Sequence, residues 1–175
     1  MRAFIALELP ERFSDDLADM ARVLGPACEA RLVPQENYHL TLAFLDEIDE
    51  AGARSAMSAI DAVCEGRAPV ALVAEGLGKF GKAHSAALWL AITASEQVMG
   101  LAADVRTELA ARDVWFEDRE FVPHITLARR AKLPDAQLPP LAFPLSEDAC
   151  RVTLFRSYLE QTGARYKALY SVELG

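Results

Sequence analysis

The sequence has few cysteines, few basic residues and no long apolar run. Its three cysteines are odd in number and widely spaced, without a Cys-x-x-Cys pair, so the sequence indicates neither a disulfide framework nor a cysteine zinc site. No apolar stretch approaches the roughly 18 residues that a membrane-spanning helix requires. Residues 1–8 reach a glutamate too early for a secretory signal. These absences lead us to expect a reduced, cytoplasmic protein with no membrane anchor.

Basic residues are outnumbered: 18 Lys and Arg stand against 26 Asp and Glu, which gives a formal net charge of −8. Because proteins contact phosphates mostly through Lys and Arg, this balance argues against an extended nucleic-acid footprint. The 175 residues are enough for one domain, or for two small lobes that share a core. Nothing in the sequence indicates a surplus apolar surface, so we expect a monomer.

The spacing of apolar residues predicts an α+β protein with mostly antiparallel strands, because short strands alternate with helices and short turns. Helices are predicted at 13–24, 53–63 and 98–109, the first of them closed by Gly25 and Pro26. Strands are predicted at 2–8, 31–33, 38–45, 70–73, 87–93, 121–129, 141–145, 150–159 and 166–174.

Three further segments are interpreted as connections. Gly76, Gly78 and Gly81 lack the Gly-Lys-Ser/Thr ending of a nucleotide P-loop, so we expect them to permit sharp turns. His84 lies in a polar stretch and is expected at the surface. Residues 131–140 are rich in proline and predict a surface loop.

One internal repeat stands out. The tetrapeptides His39-Leu40-Thr41-Leu42 and His124-Ile125-Thr126-Leu127 share the pattern His-apolar-Thr-apolar. Both lie in predicted strands, and each histidine is near the start of its strand. Together they contain two of the three histidines in the chain.

The strand period gives this repeat a chemical meaning. Side chains two residues apart point to the same face, so His39 and Thr41 project together, as do His124 and Thr126. If two lobes pack about a pseudo-twofold axis, the two pairs converge on one cleft. Two imidazoles and two hydroxyl groups suit a reaction that needs a general acid and a general base at a phosphodiester.

Two other interpretations of the repeat remain open at this point. The histidines can be packing residues on amphipathic strands, with threonine present for its β propensity. Alternatively, they can be two ligands of a metal ion. A catalytic zinc site usually has three protein ligands, and threonine occupies the slot where another ligand would project. We therefore expect no metal site and no cofactor.

Four stretches, 2–10, 33–45, 121–129 and 154–166, resemble the 2H phosphoesterases, which are named for two His-x-Ser/Thr-x motifs. More narrowly, the chain resembles the bacterial and archaeal RNA 2′,3′-cyclic phosphodiesterases, also called 2′-5′ RNA ligases. The resemblance implies one 2H phosphoesterase domain over residues 1–175, made of two pseudo-symmetric lobes. Each lobe would be an antiparallel sheet with outer helices, and a central cleft would separate them.

The resemblance also implies an activity. It is the metal-independent opening of RNA 2′,3′-cyclic phosphate ends, or of small cyclic nucleotides, to 2′-phosphates. His39 would donate a proton to the departing 3′-oxygen, and His124 would accept one from the attacking water. Thr41 and Thr126 would donate hydrogen bonds to the non-bridging oxygens. The reverse reaction would join a cyclic end to a 5′-hydroxyl in a 2′-5′ bond.

Substrate contacts are expected from Arg129, Arg130, Phe44 and Phe121. The family has a basic residue five positions after the second histidine, which is Arg129 here. Strand alternation, however, points Arg129 away from His124 and points Arg130 towards it, so either a bulge redirects Arg129 or Arg130 makes the contact. Phe44, Phe80 and Phe121 offer rings for stacking on a terminal base, with core packing as the alternative for at least two of them.

Two alternative functions fit the same motifs. The same chemistry can act on another small cyclic phosphate or on a 2′-5′ oligonucleotide. A non-catalytic RNA-end binder is the other alternative, although a binder would not need both imidazoles. For the enzyme, we expect a small basic cleft on an acidic body, because one terminal phosphate needs few positive charges.

Overall fold

The computed structural model describes residues 1–133 and 138–175 of the chain. The helices within these ranges are α1 (Glu11–Ala27), α2 (Glu50–Cys64) and α3 (Glu96–Ala110). The strands are β1 (Arg2–Glu8), β2 (Arg31–Leu32), β3 (His39–Glu47), β4 (Val70–Leu72), β5 (Ala74–Phe80), β6 (Ala86–Ile92), β7 (His124–Ala131), β8 (Glu147–Ala149), β9 (Arg151–Glu160) and β10 (Gly163–Glu173).

The strands form two four-stranded sheets with all neighbouring strands antiparallel. The first sheet has the order β10-β9-β1-β3, and the second has the order β2-β7-β6-β5. Strands β4 and β8 form a separate antiparallel pair. The predicted α+β class with antiparallel pairing is confirmed.

The helices cover the outer faces of the sheets. Helix α1 packs against β2 and β7, whereas α2 and α3 pack on each other and on strands of the first sheet. Phe13, Leu17 and Leu24 of α1 are fully buried, and burying such a side chain contributes roughly 1.5–3 kcal/mol. Within the described residues, no helix combines the length and the apolarity that crossing a membrane requires.

The end of helix α1 differs from the prediction. The helix does not close at Gly25 and Pro26 but continues to Ala27. A proline removes one backbone donor and crowds the carbonyl four residues earlier. Only one helical residue follows Pro26, so this cost falls in the last turn, where the helix is ending in any case.

The glycine-containing segment also differs, because most of it is strand β5. Gly81 follows the strand with a φ of +86°, as expected for a turn. Gly78, in contrast, lies within β5 directly opposite Trp89 of β6. A Cβ atom at Gly78 would overlap the indole ring, so close packing and not a turn requires glycine there.

One predicted strand is absent, and another begins later than predicted. Residues 141–145 form no strand, and Pro139, Pro140 and Pro144 lack the N–H groups that strand pairing uses. The strand predicted at 121–129 begins only at His124, because Pro123 precedes it. Residues 134–137 of the predicted 131–140 loop lie outside the described residues, and Ala131 is the end of β7.

Candidate active site

Each motif histidine is the first residue of its strand, and each is oriented in the same way. The Nδ1–H of His39 in β3 donates to the carbonyl oxygen of Asn37 at 2.7 Å. The Nδ1–H of His124 in β7 donates to the carbonyl oxygen of Val122 at 2.6 Å. In both rings the proton on Nδ1 is thereby held by the residue two positions earlier. This arrangement leaves Nε2 as the unprotonated nitrogen of both imidazoles when the rings are neutral.

The alternation of β3 and β7 confirms which side chains share a face. Leu40, Leu42, Ile125 and Leu127 are fully buried in the core. Thr41 lies beside His39, with its Oγ1 at 2.9 Å from Nε2 of the imidazole. Because His39 holds its proton on Nδ1, the Thr41 hydroxyl donates to Nε2 when the ring is neutral.

Both strands contain a bulge directly after the threonine of the motif. On β3, Thr41 pairs with Ala6 and Ala43 pairs with Ile5, so β3 has one extra residue. On β7, Thr126 pairs with Trp89 and Ala128 pairs with Leu88, so β7 also has one extra residue. The bulge places two consecutive residues in the core and reverses the alternation beyond them.

The bulges set the direction of the two arginines. Arg129 comes to the same face as His124 and Thr126, and its equivalent on β3 is Phe44. Arg130 also reaches the cleft. The pairing of β7 with β6 shifts a second time between Ala128 and Ala131, and Arg130 has a φ of +55° there. Both arginines line the cleft.

The cleft between the two sheets has a volume of about 500 Å³. Its charged lining consists of arginines from both sheets, with no Asp or Glu among the described residues that line it. These arginines are Arg2, Arg31, Arg129 and Arg130. His39, Thr41, Thr126 and Phe44 line the same cleft. The expected basic cleft on an acidic protein is therefore observed.

Aromatic rings surround both imidazoles. Phe4 and Tyr166 pack on His39 with ring centroids 4.7 and 5.3 Å away. Phe80 and Trp89 pack on His124 at 5.2 and 5.4 Å. These contacts fix the ring planes without using Nε2.

The pKa of the His39 imidazole is lowered from 6.5 to about 4. Burial is the main cause, because desolvation penalises the charged ring. The hydrogen bond to the Asn37 carbonyl opposes this change, and the positive charges of His124 and Arg129 add to it. The charges of His124 and Arg129 on the second sheet thus act on His39 of the first sheet.

This pKa predicts how stability depends on pH. Between about pH 6.5 and about pH 4 the unfolded chain binds a proton at residue 39 that the folded protein does not, so the free energy of unfolding falls as the pH is lowered. The variant His39→Asn retains a donor for the Asn37 carbonyl and lacks this titration. Urea unfolding of both proteins at several pH values should show the wild type losing stability relative to the variant. A difference that stays constant with pH would contradict the prediction.

Two predicted site residues, His124 and Phe121, are not among those that line the cleft. His124 lies at its border, because Thr126 and Arg129 of the same strand line the cleft and the charge of His124 acts on His39. Phe121 is turned elsewhere. Its ring packs against the core and lies under the Arg106 guanidinium, 5.5 Å from the ring centroid. Phe44 does line the cleft, where the Arg2 guanidinium lies over its ring at 5.2 Å.

Several residues of the site were missed by the sequence analysis. Asn37 positions His39 through its carbonyl, and its side chain donates to the carbonyl of Ala164 in β10. Arg31 of the second sheet donates to the carbonyl of Thr162 in the turn after β9. The only available signal for Asn37 was its position two residues before a motif histidine.

The donors of a metal site are not assembled in the part of the chain that the structure describes. No group of three or more His, Cys, Asp or Glu side chains comes together within residues 1–133 and 138–175. Cys28 and Cys64 are buried, Cys150 is exposed, and none of the three is in a disulfide.

Two antiparallel sheets, each with a His-x-Thr motif at the start of one strand, and a cleft between them are the architecture of the 2H phosphoesterase fold, as predicted. The chain belongs to the 2′-5′ RNA ligase superfamily, whose family model matches residues 9–158. It is 31% identical to an RNA 2′,3′-cyclic phosphodiesterase of Thermotoga maritima over 99% of this chain and 95% of the relative.

Solved structures show the same likeness. TT0787 of Thermus thermophilus is similar with a TM-score of 0.84 and 29% identity, covering 99% of this chain and 98% of that one. Escherichia coli LigT complexed with 3′-AMP is similar with a TM-score of 0.80 and 27% identity, covering 99% and 97%. The predicted family is confirmed.

Proposed function

We propose that this protein hydrolyses 2′,3′-cyclic phosphodiester ends of RNA to 2′-phosphomonoesters with its two histidines and without a metal ion. The matched orientation of His39 and His124 carries this proposal, because it leaves two Nε2 atoms for one acid and one base. The names of the curated relatives support the substrate class. The complexes of Escherichia coli LigT with 3′-AMP and with phosphate support a nucleotide-phosphate site in this fold.

In the proposed reaction, a water oxygen attacks phosphorus while the bond from phosphorus to the 3′-oxygen breaks. Nε2 of His124 accepts the proton of the water, and Nε2 of His39 donates a proton to the departing oxygen. The five-membered ring of the substrate is strained, so positioning, a base and an acid are sufficient. The charge that develops on the non-bridging oxygens is stabilised by Thr41 and Thr126.

The contact between His39 and Thr41 changes with the charge of the ring. With neutral His39, the Thr41 hydroxyl donates to Nε2. After protonation, Nε2–H donates instead, and the hydroxyl accepts this bond. The hydroxyl hydrogen of Thr41 is then free to bond a phosphate oxygen. Protonation of His39 therefore also makes the Thr41 hydroxyl available to the phosphate.

His39 must take up its proton when the substrate binds. A pKa of about 4 keeps the imidazole neutral at neutral pH in the free protein. A phosphate anion beside the ring favours the charged form and raises this pKa. The positive charge of Arg129 by itself lowers the pKa of His39, and the negative charge of the phosphate offsets this effect. Substrate binding is therefore coupled to proton uptake.

An oligoribonucleotide ending in a 2′,3′-cyclic phosphate, incubated with the protein and excess chelator, tests the proposal. We expect conversion to the 2′-phosphate at the rate measured without chelator, with the position of the phosphate read by ³¹P NMR. Loss of turnover with chelator would contradict the metal-free mechanism. A 3′-phosphate product would contradict the identity of the leaving oxygen. Tight binding without turnover would favour the non-catalytic binder.

A further inference from the structure

A second aromatic surface lies on the His124 side of the site, outside the arginine-lined cleft. It consists of Phe80, at the end of β5, and Trp89 of β6, whose ring centroids are 5.0 Å apart. We call it the Phe80–Trp89 platform. Phe80 is 48% exposed, and neither ring is among the residues that line the cleft. Neither ring has a role in the proposed reaction.

The sheet builds this platform from local features. Gly78 has no side chain, so the Trp89 indole lies over β5 where any Cβ would overlap it. Phe80 is two residues further along β5 and therefore projects from the same face. Both rings contact His124, so the platform continues directly from the base of the proposed reaction.

The charge around the platform differs from that of the rest of the protein. The chain has 26 Asp and Glu, but none lies between residues 76 and 95. The charged residues of that segment are Lys79 and Lys82, and both are exposed. Lys79 projects from the opposite face of β5, whereas Lys82 lies in the turn that follows Phe80. An aromatic surface built from a segment without carboxylates is suited to a nucleoside with neighbouring phosphate, because carboxylates would repel the phosphate.

We propose that the Phe80–Trp89 platform binds the base of a second nucleoside, the one whose 5′-hydroxyl attacks the cyclic phosphate in the ligation direction. This inference rests on the proposed function, in which the attacking oxygen is on the His124 side of phosphorus. The 5′-oxygen takes the place of water and forms the new bond to phosphorus as the bond to the 3′-oxygen breaks. Its proton passes to Nε2 of His124, and Nε2 of His39 protonates the 3′-oxygen, so a 2′-5′ phosphodiester results.

Competition between nucleophiles tests this subsite. A 2′,3′-cyclic mononucleotide is turned over in the presence of a nucleoside with a free 5′-hydroxyl, or of methanol, which has no base to stack. For each acceptor, the ratio of transfer product to hydrolysis product is measured. Since both products form in one reaction and both require His124, each ratio is independent of the folded fraction and of any disturbance of His124.

We expect Phe80→Ala to lower the nucleoside ratio about tenfold through lost stacking and to leave the methanol ratio unchanged. Phe80→Tyr keeps an aromatic face and should retain the wild-type nucleoside ratio. Phe143→Ala is the matched control, because Phe143 is similarly exposed, at 42%, and does not line the cleft. It should change neither ratio.

The outcomes separate the subsite from the function on which it rests. Turnover by the wild type with the same nucleoside ratio in Phe80→Ala would overturn the subsite alone. An equal fall of the nucleoside and methanol ratios in that variant would also overturn it, because stacking on a base could not be the cause. Absence of any cyclic-nucleotide turnover in the wild type would overturn the proposed function and the subsite with it.

Discussion

Replacing either His39 or His124 with alanine should lower kcat for a 2′,3′-cyclic nucleotide by about 10²- to 10⁴-fold, the range that general acid–base catalysis contributes. Each imidazole is expected to move one proton in the same transition state, so neither substitutes for the other. Single-turnover kinetics with each purified variant gives the value directly. His84→Ala is the matched control, because this third histidine is exposed in the turn before β6.

The double variant and a conservative variant make this prediction sharper. Because the two groups act as a unit, the combined loss should be much smaller than the product of the two single losses. His39→Asn retains a donor for the Asn37 carbonyl but has no atom in the place of Nε2. It should therefore fold like the wild type and be as inactive as His39→Ala. A single variant that retains more than about a tenth of the activity would contradict the paired assignment.

The variant Arg129→Met should lower kcat/KM by about 10- to 100-fold, because a hydrogen bond between charged groups contributes about 1.5–3 kcal/mol. The bulge in β7 places Arg129 on the face of the motif, and its charge acts on both His39 and Tyr166. Removing this charge should also raise the pKa of His39, which an NMR titration of the imidazole measures.

Arg130→Met is the matched comparison for this prediction. Arg130 lines the cleft, but it is not among the charges that perturb His39. We therefore expect a smaller loss of kcat/KM and no rise in the pKa of His39. Arg129→Lys should recover part of the activity, because it restores the charge without the planar pair of donors. Equal losses of kcat/KM in Arg129→Met and Arg130→Met would contradict the larger role predicted for Arg129.

Much of the site could be predicted from short-range patterns. The alternation within His39–Leu42 and His124–Leu127 depends only on the strand period, and the structure places each of these residues on the expected face. The apolar faces of the three helices follow from their own spacing in the same way. The expected monomeric state and cytoplasmic location stay predictions.

The errors come from interactions between distant parts of the chain. The turn at Gly78 was predicted because glycine is common in turns, but the ring of Trp89 on the next strand is what requires it. Phe121 was predicted to offer its ring for stacking on a terminal base. Pro123 ends the pairing of the strand before Phe121 is reached, and its ring packs under Arg106 instead.

The sequence by itself therefore determined the two motifs, the faces of their strands and the class of chemistry that they suit. Those properties depend on residues two to four positions apart, whose relative direction the backbone geometry fixes. Only the tertiary structure decided that both Arg129 and Arg130 reach the cleft, that Arg2 and Tyr166 join them, and that aromatic rings enclose both imidazoles. A bulge exists only relative to a partner strand, and a cleft only between two sheets, so neither can be read from one stretch of chain.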